Sequence, residues 1–464
     1  MATLFESLTT AIRSLLARQE AGGVTTPDLS RMNIPGGSGG NEVLTEDGPK
    51  SFSSPHSGEE ESQAGIAGIR DRVLGLRVDQ ESQQQSRLEW YLEAMQQVEA
   101  LFDESQGVGL PRVIDRFFNR VQALSDDPSS LPLRQGVLTA AANLSTDFRQ
   151  LAASLKTMRK GLDRQAKQSL EEINELAWQL AAVNERIASL QGARQGAEDL
   201  TGRRNWLVNE LSHLIDNSTL ESGDGSLTIA TSGGAALVVG TKSFRLEALA
   251  NPATGFTKIL SQGTDITGQI SGGKLAGTLQ ARDQDIPGLQ DGLDNIAAAL
   301  SAAINAAHRQ GYDLSGSPGG DFFVPFTPSF SGSNAGSAAS LAVALRDPST
   351  LASSSDGTPG DSGNLRALAN IRGQRLIGGK TVQTFYAKLI LGIGNAVSKA
   401  SAELEAEGMV LEQLENQRAA ISGVSLDEET AHLFRYQRAF EAASGVVTVV
   451  DQVASSFSTS REAA

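Results

Sequence analysis

Residues 141–190 read AANLSTDFRQLAASLKTMRKGLDRQAKQSLEEINELAWQLAAVNERIASL, and the spacing of their large apolar side chains decides the architecture. Ala141, Leu144, Phe148, Leu151, Leu155, Met158 and Leu162 recur at steps of three and four. Ile173, Leu176, Leu180, Val183, Ile187 and Leu190 do the same after one phase slip in the polar stretch 165–169. That alternation keeps one stripe of an α-helix apolar, so the segment is one very long helix or two stacked ones. Each large apolar side chain fully buried in such a seam contributes roughly 1.5–3 kcal/mol. The seam can hold a bundle together but carries no chemistry, which points to a rod-like helical domain.

Helical spacing extends on both sides of this segment. Upstream, Leu88, Leu92, Met95, Val98 and Phe102 mark one amphipathic helix, and Pro111 to Leu124 another. Downstream, Leu289, Leu293, Ile296, Leu300 and Ile304 mark a helix stopped by Gly311. The closing third holds two more, separated by Gly423. The first carries Phe385, Leu389, Ile393, Leu404, Leu411, Leu414 and Ile421. The second carries Leu433, Tyr436, Phe440, Ala443, Val447, Val450, Ala454 and Phe457 in unbroken alternation. Ser425 and Glu428 have capping-box spacing, and Asp427, Glu428 and Glu429 put negative charge at the positive end of that helix. At the other terminus Phe5, Leu8, Ile12 and Leu15 form a short stripe. A lone helix of about 12–15 residues is marginal in water, so this one is expected to order only with a partner. Pairing it with the last helix brings both chain ends to one pole and makes them the assembly interface.

Between these helices the texture changes. Residues 218–273 alternate β-branched residues with glycine, as in Leu227-Thr-Ile-Ala230 and Ala236-Leu-Val-Val-Gly240, which reads as short strands and turns. Residues 22–66 and 315–363 are rich in Gly, Ser and Pro and read as linker and loop. The expected fold is mainly α with an inserted small β domain, α+β overall, drawn out as an elongated multi-domain rod. Residues 1–30 and 424–464 are expected to form a terminal coiled coil and 31–63 a linker. A long helical bundle takes 64–217, 285–314 and 376–423, the small β domain 218–284, and a Gly/Ser-rich loop or reduced outer insertion 315–375.

Composition limits the function. The 464 residues carry 39 basic and 54 acidic side chains, a net charge of −15 that repels nucleic acid and anionic lipid. There is no cysteine, hence no disulfide, thiolate metal site or cysteine nucleophile. Residues 1–18 lack a signal-peptide core, and no run approaches the length of a membrane span, so membrane insertion is not expected. The stretch Gly373-Gln-Arg-Leu-Ile-Gly-Gly-Lys-Thr381 misses phosphate-loop spacing, because Gln374 stands where the first glycine is required. His56, His213, His308 and His432 are scattered and form no zinc-binding pair. Asp283 and Asp285 are an unremarkable pair of acids in an acidic protein. No catalytic, cofactor or metal site is expected.

Several blocks in order resemble the flagellar axial proteins, and among them the hook-associated protein 1 family. The tail carries Ser422-Gly-Val-Ser-Leu-Asp-Glu-Glu429 and Tyr436-Gln-Arg-Ala-Phe-Glu-Ala442. Upstream stand Val98-Glu-Ala-Leu-Phe102, Phe117-Phe118, Ile173-Asn-Glu-Leu176 with Asn184, Gly272-Gly-Lys-Leu-Ala-Gly277 and Arg282-Asp283. Leu293-Asp294, Asn305, His308, Gly311 to Gly316, Phe322-Phe323, Pro359-Gly-Asp361 and Leu414 to Arg418 complete the set. The family's Thr-Pro-Gly-Tyr-Ser-Arg motif is represented by Thr26-Pro-Asp-Leu-Ser-Arg31. The resemblance implies a non-enzymatic subunit assembling with itself as a ring on the hook. Its partners would be hook protein, the second hook–filament junction protein and an export chaperone at the C-terminal region. It also implies export through the flagellar type III apparatus to an extracellular location. Two alternatives fit the seams without the blocks: a different axial protein, and a coiled-coil tether with a β recognition module.

Overall fold

The computed structural model describes residues 60–102, 109–190, 197–223, 225–328, 332–358 and 360–422, the backbone of 44–45 and 48–49, and the single positions Phe434, Arg438, Glu441 and Thr448. Leu44–Thr45 (β1) and Gly48–Pro49 (β2) pair antiparallel within the segment expected to be linker. Helix α1 spans Glu60–Leu101, starting well before the apolar stripe that announced it. Helices α2 (Leu110–Leu124) and α3 (Leu131–Ser189) each begin with proline in the first turn, where its missing N–H costs no hydrogen bond. The two form a hairpin.

Helix α3 is unbroken for 59 residues, about 88 Å at 1.5 Å per residue. Its buried positions run from Leu155 and Leu162 through Ala166 and Leu170 to Ile173. The apparent phase slip is therefore a place where the stripe passes through a small residue and changes partners, and the helix itself does not break. Before it, α3 packs in a core shared with α1, α2 and the later helices. Beyond it, α3 packs in a second core with α4 (Ala197–Leu214) and the strands.

The strands make two antiparallel sheets. β3 (Ser218–Glu221), β4 (Leu227–Ala230), β5 (Ala236–Val239) and β6 (Lys242–Ser243) lie side by side in chain order. β7 (Leu246–Ala250), β8 (Thr257–Ser261) and β9 (Thr264–Asp265) form the other sheet. Residues 273–285, grouped on sequence with the β domain, are helical: α5 (Gly273–Gln280) runs into a single π turn, Ala281–Asp285. The π turn continues into α6 (Ile286–His308).

The segment 315–375, expected to be a Gly/Ser-rich loop or a reduced outer insertion, holds short ordered elements. It contains α7 (Ser337–Ser340), 3-10 turns at Pro348–Thr350 and Ile371–Gly373, and α8 (Gly363–Asn370). Phe322, Phe323, Leu341, Leu351, Leu365, Leu368 and Ile371 from it are buried in the first core. Phe117 meets Phe322 edge-on at 5.7 Å and Phe118 at 5.2 Å. A handful of large side chains is enough to order a Gly/Ser-rich segment when, as below, its backbone is held by polar groups from neighbouring helices.

Helix α9 (Val382–Ser422) closes the bundle against α1. Gly394 lies beside Glu99, Gly408 beside Gln85 and Gly75 beside Arg418, so the two helices run antiparallel. The buried stripe of α9 is Val382, Tyr386, Ile393, Ala400 and Leu414, while Phe385, Leu389 and Leu404 flank it half-buried. Sequence reading placed this stripe one residue off at its start because it followed Phe385 and passed over the amphipathic Tyr386.

Candidate functional site

The residues expected to form the assembly interface, Phe5, Leu8, Ile12, Leu15, Leu433, Tyr436, Phe440, Ala443, Val447, Val450, Ala454 and Phe457, lie outside the described residues, as do the cap residues Ser425 and Glu428. Phe434, Arg438, Glu441 and Thr448 are helical and exposed, and none of them belongs to the proposed seam.

The described residues show what the resemblance blocks do. Six of their residues, Asn174, Asn184, Arg282, Asp294, Asn305 and His308, are buried or half-buried polar groups that hold the backbone of an irregular or β segment. Asn174 of α3 donates Nδ2–H to Leu246 O at 2.9 Å and accepts from Leu246 N at 2.8 Å, pinning β7. One further stretch along α3, Asn184 donates to Leu227 O and Gly240 O, both at 2.8 Å, and accepts from Leu227 N at 3.1 Å. A carboxamide imitates a strand edge, offering one donor group and one acceptor in the spacing of a peptide. Asn305 of α6 treats Phe323 the same way, donating to its O at 2.9 Å and accepting from its N at 2.8 Å. Asp294 accepts from Gly336 N and Ala338 N at 2.8 Å each, placing α7 on α6.

The joint between rod and β domain is ionic. Asp163 of α3 accepts from Thr257 N at 2.7 Å and Thr257 Oγ1 at 3.0 Å. Arg282 donates to Asp163 at 2.7 Å, to Thr257 O at 2.8 Å and to Asp283 at 2.6 and 2.9 Å. Burial raises the pKa of Asp163, but the Thr257 N–H, Lys167, the Thr257 hydroxyl and Arg282 outweigh it and hold the carboxyl below its ordinary value. Arg159 donates to Arg282 O at 2.9 Å and stacks on Phe256 at 4.2 Å, bracing the π turn from outside. Asp283 is thus an ion-pair partner. Asp285 bonds Tyr91 of α1, and burial raises its pKa.

The insertion is anchored by Arg134 and His308. The Arg134 guanidinium is fully buried and donates to Pro128 O at 2.7 Å, Leu351 O at 2.6 Å and Ser353 Oγ at 2.5 Å. His308 accepts from Ala352 N at Nε2, 2.8 Å, and so carries its proton on Nδ1, which donates to Gly320 O at 2.8 Å. It is the buried, hydrogen-bonded histidine of a structural joint. Among the described residues no group of acids and histidines is arranged to hold a metal. The near-miss phosphate loop is a two-residue hairpin: Gly378 and Gly379 have φ of 53° and 75°, and Ile377 and Lys380 exchange bonds of 3.0 and 3.2 Å. Those bonds close a tight turn, not the open run of N–H groups that cradles a phosphate.

Burial lowers the His308 pKa below the ordinary 6.5, against the Gly320 bond that raises it. Since the folded state resists the proton, its stability is full above the unfolded value and falls as pH drops below it toward the folded value. A slope of about 1.4 kcal/mol per pH unit is expected for one proton in that window. Thermal melting of the parent from pH 7 downward should show this decline. His308→Gln should start less stable but lose the slope; an unchanged slope would count against His308 as its source.

A family model described as flagellar hook-associated protein FlgK helical domain matches residues 95–323. A second, described as flagellar basal body rod FlgEFG protein C-terminal, matches residues 415–459. Flagellar hook-associated protein 1 of Bacillus subtilis is 26% identical over 98% of this chain and 97% of its own length. The protein of that name from Escherichia coli is 22% identical over 96% of this chain and 97% of its own length. The solved structure of the flagellar hook junction protein FlgK from Burkholderia pseudomallei shares the fold, with a TM-score of 0.66 at 18% identity over 75% of this chain and 100% of that one. No helix among the described residues is long and apolar enough to cross a membrane. With its ordered blocks, its stapled rod and these matches at both the helical domain and the tail, this chain is similar to the hook-associated protein 1 family of flagellar proteins along nearly its whole length.

Proposed function

We propose that this chain is a structural subunit of the bacterial flagellum that joins the hook to the filament, assembling with copies of itself as a ring at the distal end of the hook. The observation that carries this reading is the match along nearly the whole length to proteins named flagellar hook-associated protein 1. The build of the molecule agrees with it. Its buried ionisable groups serve as staples between backbone segments, as a stiff spacer requires. It acts without catalysis, outside the cell, after export through the flagellar type III apparatus. Below it contacts hook protein and above it the second junction protein, and before assembly a chaperone holds its C-terminal region. The terminal helices form the coiled coil that makes the intersubunit contacts, with the residues from Phe5 to Leu15 set against those from Leu433 to Phe457.

Deleting the gene should leave hooks without filaments and release flagellin to the medium, seen by electron microscopy and immunoblotting. Intact filaments would refute the junction role. Complementation with Phe440→Asp or Val447→Asp should fail, because a charge on the apolar seam cannot be buried. The purified variant should melt like the parent, since its central bundle is unchanged; normal filaments from it would remove the C-terminal seam from the interface.

A further inference from the structure

Trp178 stands on α3 with 61% of its surface exposed. The other two tryptophans are covered by cations of their own chain: Lys274 lies over Trp90 at 4.1 Å and Arg203 over Trp206 at 4.3 Å. Tryptophan and arginine are the side chains that most often carry the energy of a protein interface once covered. Trp178 also belongs to a pattern. Glu171, Glu175 and Trp178 follow one another at i, i+4 and i+7 along one exposed helix face. Phe244 and Arg245 form the opposite wall of an open groove floored by Asn174. Because Asn174 is bonded to Leu246, that wall is fixed before anything docks.

Two carboxylates beside an aromatic face suit a planar cation that can stack and hydrogen-bond together, which is arginine. The chain itself carries such a ladder. Arg112, Arg116 and Arg120 are exposed at i, i+4 and i+8 of α2 and line one groove with Asp115 and Asn119. The helix under them is held in place, since Asp115 takes Arg372 at 2.9 Å and Gln383 at 2.7 Å. The charges near the arginine face include Asp115 and Asp147, which attracts Arg116; those near the acidic face include Arg245 on the groove wall and Lys167 one turn before Glu171, and Gln179 donates to Glu175 at 3.0 Å. Within one molecule the stripes cannot meet. Arg120 lies beside Gly136 of α3, and the acidic stripe begins 35 residues further along the same helix, roughly 50–60 Å away at 1.5 Å per residue.

We propose that Glu171, Glu175 and Trp178 dock the Arg112–Arg116–Arg120 face of a second copy of this chain, displaced by roughly 50–60 Å along the rod. The proposal rests on the self-assembly reading above and names one surface that serves it. Sedimentation of the full-length chain measures it. The association should weaken with added salt, and Glu171→Arg with Glu175→Arg should lower the association constant by about tenfold or more. Trp178→Ala should do the same. Glu172→Arg, exposed on the same helix but off the stripe, should leave association unchanged. Adding Arg112→Glu, Arg116→Glu and Arg120→Glu to the glutamate-reversed chain should restore association. Undiminished association of the reversed chain, or no rescue in the combined chain, would overturn this surface while the ring reading stands. A parent chain that stays monomeric at every concentration would overturn this surface too, while the ring reading is decided separately by the gene deletion.

Discussion

Replacing Arg282 by alanine should cost about 3–5 kcal/mol and loosen the β domain from the rod. Arg282 is 1% exposed and its guanidinium is the hub of the joint, with Asp163, Asp283 and Thr257 O all bonded to it. Removing it leaves Asp163 buried with Lys167, at 3.0 Å, as its nearest cation, and Thr257 O without its donor. The cost is that of a stranded charge and a stranded carbonyl, added to the cavity left by a large side chain. Because the joint lies between two hydrophobic cores of the described residues, the loss is local, and a melting temperature alone does not locate it. Hydrogen exchange does: the amides of Thr257 and Ile259 in β8 should lose protection, while those in the Leu144–Leu155 part of α3 keep theirs. A control separates charge from shape. Arg282→Met combined with Asp163→Leu removes both charges and keeps volume, so it should recover part of the loss. If Arg282→Ala leaves the β8 amides protected as in the parent, the joint is held by packing and the ionic network is incidental.

The long helices were legible in the sequence because period is a local property. Ala141 to Leu190 announce α3 without reference to any other segment. What joins the helices to everything else was not legible on physical grounds. Asn184 has no feature that reveals a partner 43 residues away, and His308 none that reveals Ala352, 44 residues on. These residues surfaced only as ordered blocks of a family resemblance, and the structure supplies the reason: each satisfies backbone groups that would otherwise be buried unpaired. The same staples explain how 315–375 is ordered despite its composition. Its order comes from Arg134, Asp294, Asn305 and His308 on other elements, so its own Gly/Ser composition gave no sign of it. The phase slip in α3 had a different cause. Ala166 is fully buried but too small to register in a count of large apolar residues, and the stripe seemed to break where it was changing cores.

Gly277→Ala should destabilise the protein by about 3 kcal/mol, although the same exchange in an ordinary helix stabilises. Gly277 sits where α5 crosses α1. A Cβ there would collide with the backbone of Arg87, at its carbonyl oxygen, and would stand 2.9 Å from Tyr91 N. Neither atom belongs to a flexible side chain, so a helix must move. Four residues earlier, Gly273 has a φ of 72°, and a Cβ on it would run into the backbone of Leu214 and Ile215. The block Gly272-Gly-Lys-Leu-Ala-Gly277 thus wedges α5 between the end of α4 and the middle of α1, and both ends of the wedge are made of missing side chains. Gly161 provides the opposite case in α3. A Cβ there meets nothing within 4 Å, so Gly161→Ala gains the usual helix preference of about 0.5–1 kcal/mol. The two variants, compared by denaturant midpoint under identical conditions, should move in opposite directions. Equal shifts would mean that helix propensity, and not the α1–α5 crossing, sets the response at Gly277.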